Sequence, residues 1–280
     1  MKKVIVGIGE ILWDMLPSGK ALGGAPANFA YHATRLGEEG WAVSAIAEDP
    51  LGREILALVE EKKLKHILAR VPQPTGTVDV TLSGAGVPTY NIKEDVAWDN
   101  IPFTEEMAAL ARRADAVCFG SLVQRLASRA SVLQFLWAAE NALKIFDINL
   151  RQHYYSKEVI EASLEIADIL KINDEEIRIV ADMFGLGADD TAACRALIRR
   201  FGLRLVILTR GAQGSEVITL EERLPEPVCK AEVVDTVGAG DSFTAAFVVA
   251  YLRGDSLADA QRLASQTAAY VCAHKGAMPE

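Results

Sequence analysis

Short apolar runs alternate with amphipathic stretches along most of this chain, and that rhythm leaves few folds open. Val4–Ile8 reads as a buried strand, and Ala25–Leu36 follows with helical spacing, Pro26 in its first turn and Gly37 past its end. Val43–Ala47 is the next strand; Asp49-Pro50 then caps and starts a helix running to about Lys63. Further strands are expected at 115–120, 144–148, 168–172 and 204–209, interleaved with helices at 128–142, 157–167, 173–184 and 190–201. Strands near 214–219 and 228–234 and two helices, 240–253 and 256–273, close the pattern. A strand, a helix and another buried strand in succession make a parallel crossover. Repeated units of that kind predict an α/β fold, a mostly parallel sheet with helices on both faces.

One segment breaks the rhythm. Thr77–Leu82 alternates polar and apolar residues, Gly84-Ala-Gly86 turns, and Thr89–Val96 alternates again. That is hairpin patterning with one wet face, suited to a lid, a dimerisation surface or a plain excursion. The 280 residues, 50% of them hydrophobic, bury a substantial core and do not demand two full domains.

The formal charge of −9, from 29 Lys+Arg against 38 Asp+Glu, argues against nucleic acid or an anionic membrane as a main partner. Small anions are not excluded, because backbone amides and a few placed cations hold them. Cys118, Cys194, Cys229 and Cys272 form no C-x-x-C pair, so reduced thiols in the cytoplasm are expected. The apolar run after Met1-Lys-Lys stops at Glu10 without a cleavage site, which fits a first strand better than a signal peptide. No run approaches the roughly 18 residues of a membrane span. His32, His66, His153 and His274 show no metal-ligand spacing.

Familiar nucleotide loops are missing. Gly7-x-Gly9 has Leu12 where a dinucleotide fingerprint needs its third glycine, and Gly19-Lys20 has neither the leading glycine nor the following hydroxyl of a P-loop. Protein-kinase signatures are absent too. A different phosphate site is visible at Asp235-Thr-Val-Gly238-Ala-Gly240-Asp241-Ser-Phe243. Gly238 and Gly240 let backbone approach a ligand, and the helix that follows aims its unpaired N–H groups and positive end at the loop. Charge on a transferring phosphoryl group would be stabilised there, with Asp241 placed to accept a proton from an attacking hydroxyl. Taken alone, Asp241 or Ser242 serves equally as a helix cap.

The segment 235–243 resembles the C-terminal signature of the ribokinase-like (PfkB) carbohydrate kinases, and Gly23-Gly24-Ala25-Pro26-Ala27-Asn28-Phe29-Ala30 resembles their N-terminal one. The two stand in the expected order with βα units between them. The resemblance implies a ribokinase-like fold, a single domain 1–280 with a small β lid from about 10–18 and 75–98. It implies that Gly238, Ala239 and Gly240 form an anion hole, that Asp241 is the base, and that Asp14, Gly23, Gly24 and Asn28 line the sugar pocket. ATP and magnesium are the implied cofactors.

Asn173-Asp-Glu-Glu176 resembles the family's N-x-x-E motif, placing Glu176 toward magnesium, through water where the ion keeps its shell; the same four residues make a capping box. Thr209-Arg210-Gly211-x-x-Gly214 falls where the family has a nucleotide-phosphate loop, and Ser265 is assigned to the same nucleotide side. Asp147-x-Asn149-x-Arg151 resembles a motif of fructokinase-like and ketodeoxygluconate kinase-like members, with Arg151 able to grip phosphate oxygens or to meet the substrate. Asp235 matches a position that helps ligate a monovalent cation, potassium, with carbonyls near Cys272 and Lys275.

Ala25-Pro26 after the glycine pair and Gly9-Glu10 leading toward Asp14 are fructokinase-like features, so fructose is the expected acceptor, phosphorylated at a primary hydroxyl. Ribose and 2-keto-3-deoxygluconate are the rivals, and a catalytically inactive sensor is the reading outside the enzyme class. A monosaccharide and ATP are the expected partners, with a homodimer through the β lid an open expectation.

Overall fold

Along β1 (Val4–Ile8) successive side chains fall into different cores: Ile5 packs into one cluster, Val6 and Ile8 into another, and all three are fully buried. A strand covered on both faces reads as a continuous apolar run, which is why this one is legible. The computed structural model describes residues 1–16, 19–82 and 88–280. After β1 the chain forms β2 (Leu12–Leu16), β3 (Gly19–Gly23), α1 (Ala25–Arg35), β4 (Glu39–Ile46), α2 (Pro50–Glu61), β5 (Lys65–Arg70), β6 (Thr77–Leu82) and β7 (Pro88–Ile92). Next come α3 (Glu105–Arg113), β8 (Ala116–Phe119), α4 (Ser128–Ala138), β9 (Leu143–Asp147), α5 (Lys157–Ile166), β10 (Ile169–Asn173) and α6 (Asp174–Phe184). The chain ends with α7 (Asp190–Phe201), β11 (Leu205–Thr209), β12 (Ser215–Ile218), β13 (Arg223–Glu226), α8 (Ala239–Arg253) and α9 (Leu257–Cys272).

The large sheet has the order β13-β12-β11-β10-β9-β8-β1-β4-β5. Pairing is parallel from β5 through β11, and at the other edge β12 pairs antiparallel with both β11 and β13. Helices α3 to α7 bury Leu110, Phe135, Leu164, Val180 and Leu197 against one face. On the other, α1, α8 and α9 contribute Phe29, Phe247 and Ala264. A third cluster seats α2, through Ile55 and Val59, against Tyr31 and Ile46. Among the described residues no helix is long and apolar enough to cross a membrane.

The interruption at 77–96 belongs to a second, four-stranded sheet of order β3-β2-β6-β7. Its β6 and β7 are the antiparallel pair the alternation predicts, while the turn expected at 84–86 lies outside the described residues. The β2 strand joins from the other side, antiparallel to β3 and parallel to β6.

One expected strand is elsewhere. The valine-rich stretch at 228–234 is irregular, and the strand that pairs with β12 is β13, five residues earlier at its start. The reason is local: Thr219 N donates to Glu222 O at 3.0 Å, closing a tight turn that folds 223–226 straight back on β12. Helix α4 also ends at Ala138, before the expected 142, and α3 and β5 were not anticipated.

Candidate active site

The strand order reverses between β1 and β8: from β1 the chain crosses to β4 and β5 on one side, and from β8 it proceeds to β9, β10 and β11 on the other. Loops leaving the carboxyl ends of these two strands diverge, opening a crevice where open α/β sheets bind ligands. Glu10 after β1, Gly120 after β8, and Asp147 and Asn149 at the end of β9 line a small cavity there with Asp241. The path from the four-stranded sheet into α1 crosses the same crevice. Gly24 sits at φ 117°, and a Cβ on it would lie 2.3 Å from the Glu10 carbonyl oxygen, so only glycine lets these backbones meet.

Two distant motifs converge on one hydrogen bond. Asn28, in the first turn of α1, donates from Nδ2 to Asp241 Oδ2, in the first turn of α8, at 2.7 Å. Asn28 is 3% exposed and its Oδ1 has no hydrogen-bond partner, so a buried acceptor is left over beside Asp241. Burial, aided by the Asp147 charge, pushes Asp241 up to about 6, against the Asn28 bond and the positive charges of Lys171 and Arg151. Asp14, on β2, lies over Gly23, whose Cβ would be 2.5 Å from Asp14 Oδ2. Burial raises the Asp14 carboxyl too, and Arg151 opposes the shift. Of the sugar-side residues expected from sequence, Asn28 bonds Asp241 and Arg151 acts by its charge on both Asp241 and Asp14, while Gly23 packs on Asp14 and Gly24 on Glu10.

A second cavity opens beside it, with Gly240 in its lining. Thr209, Gly211, Gly214, Ala239, Gly240 and Ser265 line a cavity of about 660 Å³ at the amino end of α8. Gly238 is the N-cap of α8, left-handed at φ 78°. The Ala239 amide donates to Thr236 O at 3.3 Å, while Ser265 Oγ accepts from Cys229 N at 3.2 Å. Asp235 braces the loop: Oδ1 accepts from Val237 N at 3.0 Å and Oδ2 from Gly276 N at 2.9 Å.

Asn173 and Glu176 lie outside both cavity linings. They form the capping box of α6, Asn173 Oδ1 accepting from Glu175 N and Glu176 N, and Glu176 Oε2 accepting from Asn173 N at 3.0 Å. Glu176 Oε1 also accepts from Leu150 N at 2.8 Å, so both carboxylate oxygens already hold backbone amides.

A family model of the pfkB family carbohydrate kinases matches residues 18–280. The chain belongs to this family. An uncharacterized sugar kinase of Pyrococcus horikoshii is 29% identical over 271 residues, covering 89% of this chain and 83% of the relative. Its ATP complex superimposes with a TM-score of 0.83, covering 98% of this chain and 94% of that one. A fructokinase of Rhizobium leguminosarum bv. trifolii is 28% identical over 279 residues, 94% of this chain and 83% of that protein. A fructokinase of Vibrio cholerae O395, solved with fructose, ADP and a potassium ion, shares the fold at 23% identity, with a TM-score of 0.83 over 99% of this chain and 94% of that one. The protein is a pfkB-family sugar kinase with the ribokinase-like α/β fold.

The pfkB site also contains groups that the motifs alone did not single out. Lys171 is a lysine within the apolar run of β10, and its oddity in a buried strand was the one available signal. Glu10 served only as a fructokinase-like marker, yet it is 5% exposed with Oε2 unpartnered. Burial pushes its carboxyl up to about 7, Asp241 adding to the shift and Arg151 opposing it.

A carboxyl raised on folding favours the folded state while protonated; that stability is complete below its unfolded value, 4.5, and is lost as pH climbs through about 7. Glu10→Gln removes the dependence. The stability gap between wild type and this variant is expected to move against the wild type by roughly 2–3 kcal/mol from about pH 5 to about pH 8, read by urea unfolding. An equal gap at both pH values would show that Glu10 is not held in this way.

Proposed function

We propose that this chain is an ATP-dependent fructokinase, transferring the γ-phosphoryl group of ATP to the hydroxyl on carbon 6 of fructose. The 2.7 Å bond from Asn28 to Asp241 carries the reading, because it joins the polar crevice of Asp14, Gly24 and Arg151 to the cavity that Gly240 lines. Asp14, Gly23, Gly24 and Asn28 hold the sugar hydroxyls, and Arg151 faces the substrate from the loop after β9. Asp241 accepts the proton of the attacking hydroxyl as its bond to phosphorus forms and the bond to the ADP oxygen breaks. The anion hole at Gly238, Ala239 and Gly240, with Gly238 as the N-cap of α8 and Gly240 in its first turn, is proposed to stabilise the charge that develops on the phosphoryl oxygens. Asn173, Thr209, Gly211, Gly214 and Ser265 form the nucleotide side.

Magnesium, when bound, would neutralise charge on the nucleotide phosphates, with Glu176 the residue proposed to serve it through water. Among the described residues no three His, Cys, Asp or Glu side chains cluster closely enough to hold a metal ion. The chain therefore fits an ion held mainly by phosphates and water, with Glu176 reached through a water. Asp235, tied to Gly276, suits a monovalent cation behind the cradle, and potassium is the ion proposed. The four-stranded sheet, which carries Asp14, is proposed as a lid that excludes water, its outer strands offering an edge to a second copy. The enzyme is proposed to act in the cytoplasm.

A coupled assay of ADP release across fructose, ribose, 2-keto-3-deoxygluconate and nucleosides, with and without potassium, tests the reading. Fructose is expected to give the highest kcat/KM, and potassium to raise turnover. A preference for 2-keto-3-deoxygluconate would transfer the assignment to that acid, whose carboxylate Arg151 would face. Binding of sugar and ATP without turnover would leave a sensor in place of an enzyme.

A further inference from the structure

The parallel register of β9 and β10 sets Lys171 directly beside Asp147, and both side chains are buried. Lys171 Nζ lies 3.2 Å from Asp147 Oδ1, an oxygen that no hydrogen-bond donor satisfies, so the contact is ionic and off-axis. The other oxygen, Oδ2, accepts from Thr244 Oγ1 at 2.9 Å. Thr244 stands one turn into α8, which fastens the pair to the helix that carries Asp241. A Cβ built on Gly240 would come within 3.3 Å of Lys171 Nζ, so the ammonium sits directly against the cradle backbone. An interior ion pair is a costly way to hold two strands together, since apolar residues of similar volume do so at least as well. Its placement calls for another reason.

We propose that Lys171 is a positioning residue for the phosphoryl transfer: its ammonium, set beside Asp147 and beneath Gly240, keeps Asp241 ionised in a crevice crowded with carboxylates. The inference rests on the reading of Asp241 as the base. Asp241 faces Asp147 and Lys171 from the sheet, Glu10 from the end of β1, Cys118 from β8, Asn28 from α1 and Arg151 from the loop after β9. Burial and the Asp147 carboxylate both favour its neutral form, and a protonated Asp241 cannot accept the hydroxyl proton. Lys171 is the positive charge embedded in the sheet below it, whereas Arg151 reaches in from an exposed loop position. Burial opposes the charge on Lys171, but Asp147, Glu176 and Asp241 together outweigh it and hold the ammonium above the ordinary lysine value.

The test is a carbon-13 NMR titration of aspartate carboxyls in the ligand-free protein, with the Asp241 resonance assigned by its loss in Asp241→Asn. In Lys171→Met the Asp241 midpoint is expected to rise by about one unit or more, because an opposite charge has been removed. Lys171→Arg is expected to stay within about half a unit of wild type. Should Lys171→Met fail to fold, the same substitution on an Asp147→Asn background, where no carboxylate is left unpaired, is expected to raise the midpoint relative to Asp147→Asn alone. The acidic limb of kcat/KM should move upward with the NMR midpoint while the KM for sugar changes less than about threefold. An Asp241 midpoint that does not move in either background overturns the proposal. A displaced midpoint in a protein that phosphorylates a different sugar would sustain it while removing the fructokinase assignment, and a protein inactive on every sugar tested would overturn both.

Discussion

Asp241→Asn is expected to lower turnover by about 10²- to 10⁴-fold, the range that a positioned proton acceptor contributes. The substitution is nearly isosteric, and the amide oxygen can still accept the bond from Asn28 Nδ2, so the junction between α1 and α8 survives. What disappears is the group that takes the hydroxyl proton. ATP affinity should hold within a few-fold, because the cavity behind Gly240 is lined by other residues. In the wild type, kcat/KM should fall as pH drops through about 6, since burial first and the Asp147 charge second hold Asp241 up to that value and only its ionised form acts. The variant should lack that limb. It should also be no less stable than wild type near pH 8: a carboxyl raised from 3.8 to about 6 loses its stabilising contribution as pH passes through 6, and an amide does not. A stable variant with near-normal turnover would remove Asp241 from the mechanism.

The parts of this molecule that depend on local chemistry are legible in its sequence. β1 occupies the five residues whose side chains all read as apolar or glycine, and α2 begins where Asp49 Oδ1 can accept from Gly52 N at 2.7 Å. Gly254, left-handed at φ 87°, ends α8 as a C-terminal glycine should. Elements at the margins are harder to read. Among the described residues β5 pairs with β4 alone, at the sheet edge, and buries just Ile67 of its six residues, so it lacks the continuous apolar run of an interior strand. The stretch at 228–234 misleads in the opposite sense. Its valines have strand propensity, but Val233 is 63% exposed and the segment borders the large cavity without joining the sheet.

The site divides along the same line. Gly238, Ala239, Gly240 and Asp241 are contiguous, and the proposed cradle can be read locally from the helix they start. Asn28 and Asp241 are 213 positions apart, and nothing short of the fold or a family resemblance brings them together. Lys171 is the clearest limit. Its charge is anomalous in the sequence, yet its partner is Asp147, chosen by the register of two parallel strands separated by a helix. Register of that kind is set by the packing of both sheet faces at once, which no window of sequence contains.

Gly238→Ala is expected to be nearly as damaging as loss of Asp241, for a reason that has nothing to do with proton transfer. At φ 78° a residue with a Cβ carries a backbone cost of about 1–2 kcal/mol, and here the Cβ would also fall 2.5 Å from the Cβ of Ala277 and 2.7 Å from its Cα. Ala277 cannot simply retreat. Its carbonyl meets the His32 ring Nε2 at 2.8 Å, and the preceding Gly276 N is bonded to Asp235, which itself begins the cradle loop. Pressure at Gly238 therefore returns to the loop from both ends, turning the first-turn amides of α8 away from the phosphoryl group. Misdirecting such donors costs about 10²- to 10³-fold in kcat, so that drop is expected with a lowered thermal midpoint and little change in the KM for sugar. Gly240→Ala provides the contrast: its φ is not in the left-handed region, and its Cβ would meet the end of the Lys171 side chain at 3.3 Å, which can move. That variant should unfold closer to the wild-type temperature than Gly238→Ala. If Gly238→Ala retained wild-type kcat, the backbone at this position would not be what stabilises the transferring group, and the cradle would have to be sought farther along α8.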